Sequence, residues 1–265
     1  MNDLLAALLL GIIEGLTEFL PISSTGHLLI AQHFIGEQRP DLFNIVIQAG
    51  AILATTLVFR QRIWALVTGL GDRDNRDYAM KLAAAFAVTA AVGLPVRLAG
   101  WELPETVSPI AWALILGGIW MLVAERLAAR RPASSTITWT VAILVGLAQV
   151  MAGVFPGTSR SAAAIFIALL AGTGQRSAAT EFVFLVGIPT MFAASGYALL
   201  EHFVDGNAAP VAWGEVGLAF LAATVTGFIA VRWLLGYIKQ HSYTPFALYR
   251  IVLGVGLLLW LPAGG

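Results

Sequence analysis

The chain is 265 residues long with a formal net charge of zero, 58% hydrophobic and 11% charged, where a soluble domain carries about a quarter charged residues. This balance excludes a soluble globule, and a neutral chain offers nothing to attract nucleic acid. Cysteine is absent, which excludes disulfides, thiolate metal sites and a cysteine nucleophile.

The start carries no basic segment followed by a small-residue cleavage pattern, so Met1–Phe19 is expected to belong to the folded protein. Two short helices are expected at 3–19 and 22–36, broken at Pro21, because proline removes a helix donor and clashes with the preceding turn. Apolar runs follow at Phe43–Phe59, Leu82–Val96 and Ile110–Val123. A second broken pair, 137–153 and 158–171 around Pro156, precedes the runs Phe182–Leu200, Val216–Ile229 and Ile251–Trp260. A span needs about 20 mainly apolar residues, since its backbone must satisfy its own hydrogen bonds where there is no water. The expected fold is an all-α integral membrane protein, a single polytopic domain over 1–265 with about ten helices.

The chain also repeats itself. Gly11-Ile-Ile-Glu14-Gly-Leu-Thr-Glu18-Phe-Leu-Pro21-Ile-Ser23-Ser24 lies over Gly146-Leu-Ala-Gln149-Val-Met-Ala-Gly153-Val-Phe-Pro156-Gly-Thr158-Ser159, an offset of 135 residues. The later apolar runs pair at the same rough offset, giving repeats of about 1–131 and 136–265. Basic residues near helix ends mark the cytoplasmic side. Eleven of them (Arg60, Arg62, Arg73, Arg76, Lys81, Arg126, Arg130, Arg131, Arg176, Arg232 and Lys239) fall on one side, against Arg39 and Arg97 on the other. The first broken pair then enters from outside and the second from inside, so the repeats are inverted. The helices after the two turns span about 14–15 residues, roughly 22 Å, which favours two re-entrant helix hairpins with Pro21 and Pro156 meeting inside the membrane. Broken helices at matching positions of inverted repeats point to a buried site.

The chemistry gathers at these breaks. Glu14 and Glu18 are four residues apart and share a helix face. A carboxylate at membrane depth costs about 2.5–3.5 kcal/mol on insertion scales, so the pair reads either as glutamates snorkelling at a helix end or as a metal or proton site. Ser23, Ser24, Thr25, Gly26 and His27 open the next helix. One serine has an ordinary use as N-cap, yet the same helix start offers free N–H groups to an anion. His27 reads either as a hydrogen-bonded filler or, with Ser24 one turn away, as an acid or base. Thr158, Ser159, Arg160 and Ser161 open the second helix. Arg160 reads as an ion-pair partner for the glutamates or as a bidentate phosphate ligand. Such a set fits phosphoryl transfer, with Glu14 and Glu18 holding Mg²⁺ or Ca²⁺, which two carboxylates and phosphate oxygens suit. One glutamate could instead serve as base towards Ser24.

Glu14-Gly-Leu-Thr-Glu18-Phe-Leu-Pro-Ile-Ser-Ser-Thr-Gly-His27, taken with Pro156-Gly-Thr-Ser-Arg-Ser161, resembles the undecaprenyl-diphosphate phosphatase family of the bacitracin-resistance type. Phe43-Asn-Ile-Val-Ile-Gln48-Ala-Gly-Ala, Arg176-Ser-Ala-Ala-Thr-Glu181-Phe, Ile188-Pro189 and Tyr249-Arg250-Ile251 extend the likeness over nearly the whole chain. The resemblance implies removal of phosphate from a C55 polyprenyl diphosphate, the lipid carrier recycled in cell-wall synthesis. It implies a bacterial inner-membrane protein with a site open to the periplasmic side, two re-entrant hairpins and a divalent cation. It places the family's glutamates on Glu14 and Glu18, its proposed nucleophile on Ser24, its histidine on His27 and its arginine on Arg160. Ser159-Arg160-Ser161-Ala162-Ala163-Ala164 departs from the family's Ser-Arg-Ser-Gly-x-Thr, lacking the threonine hydroxyl at Ala164. A homodimer is left open. The rival function is a secondary transporter or lipid flippase, which shares broken inverted repeats. A phosphatidic-acid-phosphatase pattern fails, because Phe166, Ile167 and Ala168 stand where its second histidine belongs.

Overall fold

The computed structural model describes residues 2–36, 38–99, 107–155, 157–204 and 212–260. Every regular element among them is a helix. In order these are α1 Asp3–Thr17, α2 Ser24–Ile35, α3 Asp41–Val58, α4 Arg60–Thr68, α5 Arg73–Leu98, α6 Val107–Ala128, α7 Trp139–Val154, α8 Arg160–Ala171, α9 Arg176–Val204, α10 Trp213–Tyr237 and α11 Thr244–Trp260. Five of them (α3, α5, α6, α9 and α10) are long and apolar enough to cross a bilayer, and α7, α8 and α11 are shorter and apolar. Leu116, Leu221, Val225, Val252 and Leu259 stand exposed on the outside of these helices. Water would penalise that surface and lipid does not. The protein is an all-helical, multi-pass membrane protein.

Among the described residues there are eleven helices, where the sequence led to an expectation of about ten. The addition is α4, a nine-residue helix with only Leu66 buried, too short and polar to register as an apolar run. Its carbonyl end is held from outside: the Asn75 side-chain amide donates to Ala65 O at 3.1 Å and Leu66 O at 3.2 Å, matching carbonyls that a helix end leaves open. The chain also breaks where expected. Helix α1 ends at Thr17 and α2 begins at Ser24, with Pro21 in the turn between them. Pro156 lies outside the described residues, and the second turn is described from Gly157, just before α8.

Packing interleaves the beginning and end of the chain. Helix α1 lies on α10, α10 on α3, α7 on α5, α3 on α9 and α6 on α11. The α1–α10 contact requires glycine. A Cβ at Gly11 would stand 2.3 Å from Ala219 O, and one at Gly15 would stand 2.4 Å from Ala223 O. Small residues four apart let two backbones meet where no hydrophobic effect drives helices together. Gly146 repeats the device, with Ala85 O 2.6 Å from its would-be Cβ in the α7–α5 contact.

Gly11→Ala is expected to destabilise the protein by about 1–3 kcal/mol, the usual cost of overpacking. Gly217→Ala on α10, where an added Cβ meets nothing within 4 Å, is expected to be neutral or slightly stabilising. Thermal unfolding of both variants in one detergent checks the pair. Equal melting points would show that α1 and α10 are not locked at Gly11.

Candidate active site

The two turns are built alike. Ser23 (φ 76°) and Ser159 (φ 68°) are the non-glycine residues with positive φ among those described. Each caps its helix with its own side chain: Ser23 Oγ accepts from Gly26 N at 3.3 Å and Ser159 Oγ from Ala162 N at 3.3 Å. Both helices run twelve residues and end at a positive-φ glycine, Gly36 and Gly172. Ser23 therefore corresponds to Ser159 and Gly36 to Gly172, an offset of 136 (159 − 23 and 172 − 36). This differs by one residue from the register read in the sequence, which laid Ser24 over Ser159. As a result Ser24 and Arg160 occupy the same rung, the first residue of α2 and of α8.

Glu18, the C-cap of α1, joins the two rungs. Its Oε2 accepts from Ser24 Oγ and its Oε1 from Arg160 Nη2. The Glu18 side chain is 5% exposed and that of Arg160 27%, so the carboxylate is enclosed while the guanidinium keeps an open edge. A buried carboxylate paired with a cation and a hydroxyl is stable where an isolated one is not. Glu14 lies one turn earlier, 2% exposed, and its Oε2 is buried without a partner.

The other sequence-marked residues surround this core. His27 makes no bond to Ser24. Its Nδ1 donates to Ser23 O at 2.7 Å, and its Nε2 accepts from the Tyr249 hydroxyl at 2.7 Å, the tautomer that a carbonyl at Nδ1 requires. The His27 and Tyr249 rings stack, with centroids 5.6 Å apart. Ser161 Oγ donates to Leu20 O at 3.2 Å across the turns and lies 3.1 Å from Ser159 Oγ. Thr25 is exposed, whereas Gly26 is buried with Ile110 Cγ2 3.2 Å from where a Cβ would be. Thr158 contributes its carbonyl to Arg250. Ala162 and Ala164, where the sequence departs from the family pattern, are both buried in the core. First-turn N–H groups of α2 and α8 have no acceptor within their helices, so both helix starts can receive an anion.

Tyr249 and Arg250 take part here, although the sequence reading assigned them no role. The available signal was an arginine inside the apolar α11. A cavity of about 360 Å³ adjoins His27, with Leu16, Leu20, Ile229, Trp233 and Tyr249 in its wall. No cluster of three His, Cys, Asp or Glu side chains able to hold a metal occurs among the described residues. The orphaned Glu14 Oε2 beside Glu18 fits a cation held by two carboxylates and completed by phosphate oxygens, not an all-protein cage.

The profile of the bacitracin resistance protein BacA matches residues 7–256. The chain is 67% identical to an undecaprenyl-diphosphatase of Xanthomonas oryzae pv. oryzae over 263 residues, 99% of each chain. It is 66% identical to an undecaprenyl-diphosphatase of Xanthomonas campestris pv. campestris, over 99% of this chain and 100% of the relative. A protein of the same name from Xylella fastidiosa is 65% identical over 261 residues, 98% of this chain and 100% of the relative.

The two glutamates are expected to answer removal of their charge with opposite signs. Glu14→Met replaces a buried carboxyl oxygen that has no partner and is expected to stabilise the protein by about 1–2 kcal/mol. Glu18→Met strands Arg160 and Ser24 and is expected to destabilise it by about 3 kcal/mol. Thermal unfolding of the two variants decides. A loss of stability in Glu14→Met would mean that the contact of the Glu14 carboxyl with Glu18 outweighs the cost of burying it.

Proposed function

The chain belongs to the bacitracin-resistance BacA family and is a hydrolase that converts undecaprenyl diphosphate to undecaprenyl phosphate and phosphate, and we propose that Ser24, Glu18 and Arg160 carry the reaction. One observation supports this most: a single carboxylate touches both the hydroxyl that would attack and the cation that would hold the phosphate.

Phosphoryl transfer needs an in-line nucleophile and charge stabilisation on the equatorial oxygens. Glu18 Oε2 already accepts the Ser24 hydroxyl proton in a hydrogen bond, so it is the base that takes this proton as Ser24 Oγ attacks the terminal phosphorus. The bond to the bridging oxygen breaks and undecaprenyl phosphate leaves. Glu18 gives up that proton as undecaprenyl phosphate departs; it then takes a proton from the water that attacks the phosphoserine and returns it to Ser24 Oγ as phosphate leaves. Arg160 turns its guanidinium to the equatorial oxygens, where a planar fork outperforms an ammonium. The helix starts at Ser23–Gly26 and Thr158–Ser161 supply N–H donors. His27 lies in the cavity wall and is assigned to the lipid-side phosphate, which it would serve as acid once Nε2 has taken up a proton, because its ring bonds lead to Ser23 and Tyr249 and away from Ser24. A divalent cation on Glu14 and Glu18 would offset phosphate charge when bound. The apolar cavity beside His27 is assigned to the first units of the prenyl chain.

The same reading extends to architecture. Matching caps, matching helix lengths and the reciprocal contacts α1–α10 and α7–α5 support two inverted repeats. Re-entrant α1–α2 and α7–α8 hairpins would bring the turns together at membrane depth. With the basic loops cytoplasmic, the site belongs to the periplasmic side of a bacterial inner membrane.

Phosphate release from undecaprenyl diphosphate by purified protein tests the mechanism. Ser24→Ala is expected to lower kcat by at least about 10³-fold, the scale of losing a covalent nucleophile. Arg160→Lys is expected to recover little of the loss in Arg160→Ala. Near-normal turnover in Ser24→Ala would move the attack to water and leave Ser24 as a helix residue. Chelator is expected to abolish turnover and Mg²⁺ or Ca²⁺ to restore it. Chelator-insensitive activity would remove the metal from the glutamates.

A further inference from the structure

Arg250 has no exposed surface and belongs to the largest fully buried side chains of the protein. It sits on α11, and its contacts are all main-chain carbonyl oxygens. Its Nη2 donates to Gly157 O at 2.9 Å and Ala113 O at 3.1 Å, and its Nη1 to Thr158 O at 2.9 Å. Longer contacts of 3.5 Å reach Pro21 O from Nη1 and Leu114 O from Nε. One guanidinium thus touches the first turn, the second turn and α6. Gly117 makes the space for it, since a Cβ there would stand 2.2 Å from Nη2.

We infer that Arg250 is a positioning residue for the phosphate site: a buried cation that clamps the Pro21 and Gly157–Thr158 turns to α6 and so sets Ser24, Glu18 and Arg160 in reach of one another. This rests on the reading of those three residues given above. Two physical reasons carry it. A buried arginine without a carboxylate is costly, and five carbonyl dipoles match the five donors of its fork. A peptide group also carries its N–H opposite its C=O. Drawing the Thr158 carbonyl onto Arg250 turns the Ser159 N–H the other way, out of the clamp. Arg250 acts on the reaction through the turns and need not touch the substrate.

The test measures kcat and KM for undecaprenyl diphosphate in Arg250→Met, Arg250→Lys and Gly117→Ala, each normalised to the folded fraction found by thermal unfolding. Arg250→Lys keeps the buried charge, and Gly117→Ala keeps Arg250 itself while crowding it, so either serves if Arg250→Met does not fold. A fall in kcat of more than 10-fold per folded molecule, with KM within 3-fold of the parent, is expected in all that fold. Parent-like kcat per folded molecule, or a raised KM with kcat unchanged, would overturn the proposal and leave Arg250 a purely structural pin. Arg160→Ala is run beside them. Full activity in that variant would overturn the reading of Arg160, an outcome distinct from failure of the clamp.

Discussion

A helix that stops where water is scarce leaves carbonyls and N–H groups that must find partners inside the protein. This protein stops two helices side by side, and most of its unusual features answer that demand. Ser23 and Ser159 close the starts of α2 and α8, and Ser161 reaches across to the Leu20 carbonyl. Arg250 collects one carbonyl of the first turn, Pro21, and two of the second, Gly157 and Thr158. Glu18, Ser24 and Arg160 meet at these same two helix starts. Satisfying the backbone and assembling the proposed phosphate site are thus one arrangement.

Charge is balanced in the same compartment. Glu18 opposes Arg160 in an enclosed ion pair, whereas the charge of Arg250 is met by carbonyl dipoles. Removing one member leaves an uncompensated neighbour, which is where large costs arise. In the proposed mechanism an arriving diphosphate adds negative charge beside this pair, which a divalent cation on the glutamates would offset. Other ion pairs connect distant parts of the chain: Arg39 with Glu215 at 2.6 Å, Arg62 with Glu181 at 2.9 Å, and Arg176 with Glu125.

The long helices were readable in the sequence because bilayer thickness imposes a minimum apolar length; α3 and α6 begin and end close to their apolar runs, while α9 begins six residues before Phe182 and α10 ends eight after Ile229. Helix α5 starts earlier than its run, because Asp72 Oδ2 accepts from Asn75 N at 2.9 Å and holds a polar first turn. Helix α4 escaped notice, since nothing in nine mixed residues signals a helix held by Asn75. Glu18, Ser24 and Arg160 were readable from charge and hydroxyls at proline breaks. The one-residue shift between the turns was not, because Ser23-Ser24 and Thr158-Ser159 align equally well as letters and only the backbone angles choose. Arg250 was visible as a charge in an apolar helix. That its partners would be carbonyls from both turns depends on α11 packing against α6, where Ala247 O meets Gly118, 129 residues earlier in the chain (247 − 118).

Ser23 and Ser159 have a further consequence. Backbone held at positive φ costs a side-chain-bearing residue on the order of 1–3 kcal/mol, whereas glycine at a helix cap gives up only a few tenths relative to serine. On folding grounds alone both positions favour glycine. A laboratory selection for heat resistance would accordingly drift toward glycine at these two positions, and the helix starts would then keep their turn geometry without a side-chain cap.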